Sequence, residues 1–159
     1  MSLYEFSHTS DGVAVFIAFQ LKSYISRNQG KCAVILAPCD VQLDMDDKTI
    51  IQPDVMVVCD RDKIGKLIYG APDFVVEVLS PSTKILDGTI KFDKYTKAGV
   101  KEYWLVDPEK QKIVKYDLTK DFDVSIYGFN DKVPVSIYGG KCTVDFSPIL
   151  EEIKDLLHK

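Results

Sequence analysis

The sequence lacks any apolar run approaching the roughly 20 residues that a membrane-spanning helix needs, so no membrane partner is expected. Its start, Met1-Ser2-Leu3-Tyr4-Glu5, lacks the basic segment and apolar stretch of a secretion signal, which predicts a cytoplasmic protein. The four cysteines, Cys32, Cys39, Cys59 and Cys142, lack CxxC spacing. Cys32 and Cys59 sit inside apolar runs, where a free thiol behaves as a small hydrophobe. The reading therefore expects no structural zinc and, in a reducing compartment, no disulfide. Positive charge is also short: the net charge is −4. That argues against a protein held to nucleic acid by bulk charge alone. Internal repeats and low-complexity segments are absent. What remains is 159 residues, 46% hydrophobic and 28% charged. That balance excludes a disordered chain and fits one soluble domain over residues 1–159.

Val13, Phe16, Ile17, Leu21, Tyr24 and Ile25 recur at three- and four-residue spacing and predict a first amphipathic helix, closed by Asn28-Gln29-Gly30. Short strands are expected at 31–36, 41–44 and 50–51, with a turn over 45–48. A further strand, Val55 to Cys59, follows Pro53, and a polar connection covers 60–70. Phe74-Val75-Val76-Glu77-Val78-Leu79 is apolar on both faces, the pattern of a central strand covered on two sides. A helix from Lys84 to Ala98 is stopped by Gly99. Glu102 to Val106 and Ile113 to Tyr116 read as a hairpin turned by Asp107-Pro108. Strands at 122–127 and 138–146 and a terminal amphipathic helix complete an α/β domain with a mixed sheet flanked by helices.

Glu77 draws attention because its neighbours are apolar. An ionised carboxylate there is badly desolvated unless its pKa rises or a cation pairs with it. A lysine at the strand's rim would satisfy that need without any chemistry. Asp54 opens its own strand, and adjacent strands lie roughly 4.8 Å apart. If the two strands are neighbours, both carboxylates face one point, and a divalent cation would relieve their repulsion. Otherwise Asp54 is a turn aspartate after proline. Asp87, Lys91 and Tyr95 share a helix face by their four-residue spacing, which suits either a site lysine or an ordinary solvated ion pair. Tyr103 and Trp104 read as core residues on opposite faces of their strand.

Gln52-Pro53-Asp54-Val55 and the segment from Ala71-Pro72-Asp73 through Glu77-Val78-Leu79-Ser80-Pro81-Ser82-Thr83 form a larger pattern. It continues with Asp87, Lys91, Tyr95, Ala98-Gly99-Val100 and Glu102-Tyr103-Trp104-Leu105-Val106-Asp107-Pro108. The whole resembles the Uma-type putative restriction endonucleases of the PD-(D/E)XK nuclease superfamily, over residues from about His8 to Tyr116. The resemblance implies a restriction-endonuclease-like core. It implies Asp54 and Glu77 as ligands of Mg2+ (or Mn2+), with the backbone carbonyl of Val78 as a third. The superfamily's lysine position, two residues after Glu77, holds Leu79 here, and the resemblance moves that role to Lys91, with Lys84 as competitor. Asp87 and Tyr95 would orient Lys91, and His8 matches a family histidine that would touch a phosphate or only cap the helix.

The expected function is a magnesium-dependent phosphodiesterase acting on DNA. Asp54 and Glu77 would hold the cation, Lys91 would assist the attacking water, and a homodimer would make two cuts. The alternative is a catalytically degenerate nuclease fold serving as a binding or assembly module, and RNA is a further candidate substrate.

Overall fold

The computed structural model describes residues 10–44, 48–80, 85–121 and 123–157; the side chains of 85–89 and 153–157 fall outside that description. Helix α1 (Ser10–Arg27) carries the expected apolar stripe, burying Val13, Ile17, Leu21 and Ile25. Six strands form the main sheet: β1 (Ala33–Leu36), β4 (Val55–Val58), β6 (Phe74–Val78), β7 (Glu102–Asp107), β8 (Lys112–Asp117) and β9 (Asp123–Gly128), in the order β1-β4-β6-β7-β8-β9. Within this sheet only the β6/β7 pair is parallel. A parallel pair needs a crossover, and helix α2 (Ile85–Ala98) supplies it. Two small sheets accompany the main one: β2 (Val41–Gln42) between β3 (Ile50–Ile51) and β5 (Ile68–Tyr69), and β10 (Lys132–Pro134) with β11 (Thr143–Asp145). Helix α3 (Ser147–Leu157) follows β11.

The sheet separates two apolar layers. One face packs Val55, Val57, Phe74, Val76, Trp104 and Ile113 beneath α1. The other packs Met56, Val58, Val75 and Tyr103 against Tyr95 of α2. Alternation sends successive residues of each strand to opposite faces, so all five residues of β6 are buried although only Glu77 is charged.

Gly99, at φ +95°, closes α2 in the left-handed region that glycine enters without a steric penalty. The Val100 N–H donates to the Tyr95 carbonyl at 3.1 Å and the Gly99 N–H to Thr96 at 3.2 Å, a Schellman closure. This closure ties the backbone of Tyr95 to the start of β7.

Three expectations need correction. The polar connection 60–70 contains a 3-10 turn at Arg61–Lys63 and strand β5, whose parallel pairing with β2 is a long-range contact that local composition does not signal. The strand expected over 138–146 is broken. Ser136–Tyr138 form a 3-10 turn, Gly139 and Gly140 take φ +64° and +79°, and only Thr143–Asp145 pair, with the unanticipated β10. Finally, Cys32 and Cys59 form a disulfide. Ala33 lies opposite Val58 in the β1/β4 pair, so the register extended by one residue sets the two cysteines face to face. A separation of 27 residues in sequence concealed that proximity. Denatured without reductant, the chain should titrate only the thiols of Cys39 and Cys142; four reactive thiols would contradict the pairing.

On the α1 side, Glu102 is fully buried and its carboxylate accepts from Trp104 Nε1 at 2.8 Å and from the Ile137 N–H at 3.0 Å. Lys115 Nζ lies 3.7 Å from the same carboxylate and donates to the Pro134 carbonyl. The pair thereby pins the 132–138 segment onto β7 and β8. Removing one partner of a buried ion pair strands the other, at a cost of about 3–5 kcal/mol. Lys115→Met should therefore lose about 3 kcal/mol in urea unfolding, and Glu102→Gln added to it should recover part of that loss. A loss below about 1 kcal/mol, the scale of exposed pairs, would count against a load shared by these two charges.

Candidate active site

β4 and β6 are antiparallel, with Val55 opposite Val76. One residue further along that register, Asp54 stands opposite Glu77. Directly opposed residues share a face, with Cβ atoms typically about 4.5–5.5 Å apart. Both carboxylates thus belong to the α2 side of the sheet, at the end where β4 begins and β6 finishes. Asp54 is fixed twice: its carbonyl accepts from the Ala37 N–H at 3.2 Å, and its Oδ2 accepts from the Val78 N–H at 2.7 Å. Its other carboxylate oxygen has no hydrogen-bond partner among the described residues.

Glu77 is 5% exposed. Its Oε1 accepts from the Tyr95 hydroxyl at 2.5 Å, and its Oε2 lies 3.3 Å from Lys91 Nζ. Lys91 and Tyr95 are one turn apart on α2, so one helix face meets both oxygens. Burial pushes the Glu77 carboxyl up to about 7, and the charge of Asp54 adds to that rise; Lys91 and the Tyr95 hydroxyl oppose it. Burial and the charge of Glu77 hold the Tyr95 phenol far above its ordinary range, so it stays a donor.

The expected cast is partly assembled. The register brings together Asp54, Glu77 and Val78, and the α2 face adds Lys91 and Tyr95. Tyr95, expected to orient Lys91, instead donates to Glu77. Leu79 donates its N–H to the Val106 carbonyl and continues the sheet. His8, Lys84 and the side chain of Asp87 lie outside the described residues. Two further lysines close to the site in sequence are already paired, Lys97 with Asp93 at 2.9 Å and Lys101 with Asp73 at 3.2 Å.

One neighbour was missed. The Tyr103 hydroxyl is buried without a hydrogen-bond partner among the described residues; burial first, and then the charges of Glu77 and Asp54, raise its pKa. Tyr103 is opposite Val75 in the parallel pair, hence on the face of Glu77; strand alternation alone carried that signal. An orphaned buried hydroxyl is a place where a water or ligand is bound at little cost.

Among the described residues no cluster of three or more histidine, cysteine, aspartate or glutamate side chains is arranged to hold a metal. The donors present are two carboxylates of like charge. Such hard oxygen donors, supplemented by backbone carbonyl and water, suit Mg2+ or Mn2+ rather than a soft metal.

Residues 2–135 match the Uma2 family, described as putative restriction endonuclease. The chain belongs to that family. It is 32% identical over 120 residues to an uncharacterized protein of Synechocystis sp., an alignment covering 73% of this chain and 63% of that one, so the chain spans less than two thirds of that relative's length. The fold matches the crystal structure of a putative nuclease belonging to DUF820 from Anabaena variabilis, with a TM-score of 0.71 at 18% identity, over 92% of this chain and 81% of that one. At that identity the likeness establishes the fold, an α/β core built on a mixed sheet, and nothing about chemistry. No helix among the described residues is long and apolar enough to cross a membrane.

The raised carboxyl of Glu77 makes stability depend on pH. Below pH 4.5 both folded and unfolded chains are protonated there, and the group is neutral to folding. Between 4.5 and about 7 the unfolded chain ionises first, so stability falls as pH rises; above 7 the penalty is complete. Its ceiling is about 3 kcal/mol. Glu77→Gln lacks this titration. In EDTA, its stability relative to wild type should therefore be greater at pH 8 than at pH 4.5. Parallel stability curves for the two proteins would show that Glu77 ionises normally.

Proposed function

We propose that this chain hydrolyses phosphodiester bonds in DNA with the help of Mg2+ or Mn2+ held by Asp54 and Glu77 and, through its backbone carbonyl, Val78. The observation that carries the reading is the register that sets Asp54 opposite Glu77 on one face, with Lys91 3.3 Å from Glu77. Membership of the Uma2 family supports the same chemistry.

A cation bound there would supply Lewis-acid activation of water and neutralise charge on the phosphate. The chain's own groups do the rest. The Val78 N–H fixes one oxygen of Asp54. Tyr95 holds Glu77 from the apolar side, leaving Oε2 towards Lys91. Lys91, about one third exposed, and the half-buried Asp54 are the members of the set with access to solvent. With a cation held by Asp54 and Glu77, the Lys91 ammonium would be free to donate to a phosphate oxygen as charge develops there.

A second reading has its own support. Both oxygens of Glu77 are already engaged by Lys91 and Tyr95, as in a buried ion pair that needs no metal. A chain of that kind would be a binding or assembly module on a nuclease fold. Calorimetric titration with Mg2+ and cleavage of supercoiled and linear duplex separate the two. Under the nuclease reading, Lys91→Ala binds the cation at least as tightly as wild type, because a competitor is gone. It should lose cleavage by about 10²-fold or more, the scale for removing one preorganised donor. Asp54→Asn and Glu77→Gln should lose both properties. Cleavage undiminished in Lys91→Ala would remove the lysine from the mechanism, and absence of cation binding in wild type would favour the module.

A further inference from the structure

Once the hydrogen bonds of the carboxylate pair are assigned, two polar atoms beside it remain without a partner among the described residues. One is the second carboxylate oxygen of Asp54, which in its ionised form can only accept. The other is the Tyr103 hydroxyl, which can donate. Tyr103 is fully buried. It stands opposite Val75 in the β6/β7 pair, on the face of Glu77. Its ring is wedged among Tyr95, Tyr116 and Phe92, with centroid distances of 5.3, 5.8 and 6.1 Å. Turning the hydroxyl out to solvent would break that packing, so it has to be satisfied where it is.

Burial raises the pKa of this hydroxyl most; the charge of Glu77 follows, and Tyr116 and Asp54 add to it. The phenol therefore stays a donor, within the field of both carboxylates but bonded to neither. Tyr95, whose ring lies beside it, does reach Glu77 and donates to Oε1 at 2.5 Å. That oxygen keeps a second lone pair. A donor and acceptors that sense one another without touching are what a single water joins. A buried water needs two to four polar partners, and Tyr103, Asp54 and Glu77 supply them.

We infer that Tyr103 is a positioning residue of this site, its hydroxyl holding one water against the open oxygen of Asp54 and Oε1 of Glu77. The two phenols then divide the work: Tyr95 holds the carboxylate itself, and Tyr103 holds the solvent beside it. Mg2+ usually keeps several waters when it binds carboxylates. On the nuclease reading, and only on it, the same water joins the oxygen donor set that Asp54 and Glu77 begin. The water itself does not rest on that reading.

Urea unfolding of the full chain in EDTA at pH 8 tests the water. Removing a paired hydroxyl loses a hydrogen bond, whereas removing an unpaired one relieves a desolvation penalty, so the two cases differ in sign. Tyr103→Phe keeps the ring and should raise the unfolding equilibrium constant about fivefold. In an Asp54→Ala background the same change should raise it less than about twofold, because the water has lost an acceptor and the two sites are coupled. An unfolding constant unchanged or lowered by Tyr103→Phe, or an equal rise in both backgrounds, would overturn the inference. If Asp54→Ala does not fold, a crystal structure of wild type grown in EDTA decides. An ordered water within about 3.2 Å of both Tyr103 Oη and an Asp54 or Glu77 oxygen supports the inference, and none there overturns it. Titration calorimetry with Mn2+ tests the link to the cation. Tyr103→Phe should bind Mn2+ about tenfold more weakly than wild type, the scale for losing a group that orients a metal's ligand. Equal affinity would remove the water from the donor set. A wild type that takes no Mn2+ would overturn the nuclease reading and this link with it, while the unfolding arms still judge the water.

Discussion

The constraint on which this molecule turns is the burial of the Glu77 carboxyl opposite Asp54. A carboxylate in an apolar layer is expensive unless ionisation is suppressed or donors are supplied. Here both responses operate. The carboxyl is pushed up to about 7, and α2 delivers a lysine and a tyrosine to its two oxygens. Much of the surrounding architecture serves this delivery. The parallel β6-α2-β7 crossover lays α2 over the end of β6. The glycine closure at Gly99 sets where the helix stops and so where Tyr95 sits. Tyr103 and the other aromatic rings around Tyr95 exclude bulk water from the apolar side of Glu77.

The two Pro-Asp dipeptides show how position in the sheet, not residue type, assigns a role. Pro53-Asp54 precedes β4 on the side of Glu77, and one Asp54 oxygen accepts from Val78. Pro72-Asp73 precedes β6 at the opposite end. There the Asp73 carboxylate takes the Cys59 N–H at 2.7 Å and the Lys101 ammonium at 3.2 Å, while its carbonyl accepts from Lys101 and Glu102. Asp73 therefore joins β4, β6 and β7 where the strands begin or end, and every oxygen has a structural partner. An identical dipeptide thus becomes a clamp at one end of the sheet and an open carboxylate at the other.

Local pattern made much of this legible. The apolar stripe of α1, the two-sided burial of β6, the helix ending at Gly99 and the hairpin of β7 with β8 all follow from periodicity and turn chemistry, which act within a few residues. The neighbouring strands of Asp54 and Glu77 were reached only through a condition and a family resemblance, because strand order is a long-range property. The same blindness hid the Cys32–Cys59 disulfide, which depends on register between β1 and β4, and the β5 and β10 pairings. Tyr95 was placed on the correct helix face but given the wrong neighbour. Four-residue spacing says which side chains share a face and not what lies beneath it. Glu102 went unnoticed because its strand, unlike that of Glu77, starts at the residue itself and gives no apolar flank on the N-terminal side.

Glu102 supplies the internal comparison that distinguishes a structural carboxylate from a candidate functional one. Both glutamates are buried in the same sheet, and burial raises the pKa of both. Glu102 is surrounded by donors that cannot leave: the indole of Trp104, backbone N–H groups of the 136–137 turn, and a Lys115 that is itself buried and bound to a carbonyl. A carboxylate stands opposite Glu102 too: it faces Phe74 in one neighbouring strand and Asp117 in the other, but Asp117 accepts from the Thr119 hydroxyl and N–H within its own turn. Glu77 has one fixed donor, Tyr95, and one on a long, partly solvated stem, Lys91. The charge of Asp54 makes ionisation of Glu77 harder still. A buried carboxyl beside a second carboxylate, with a partly solvated lysine as its counter-ion, carries an electrostatic deficit that protonation or an added cation would relieve.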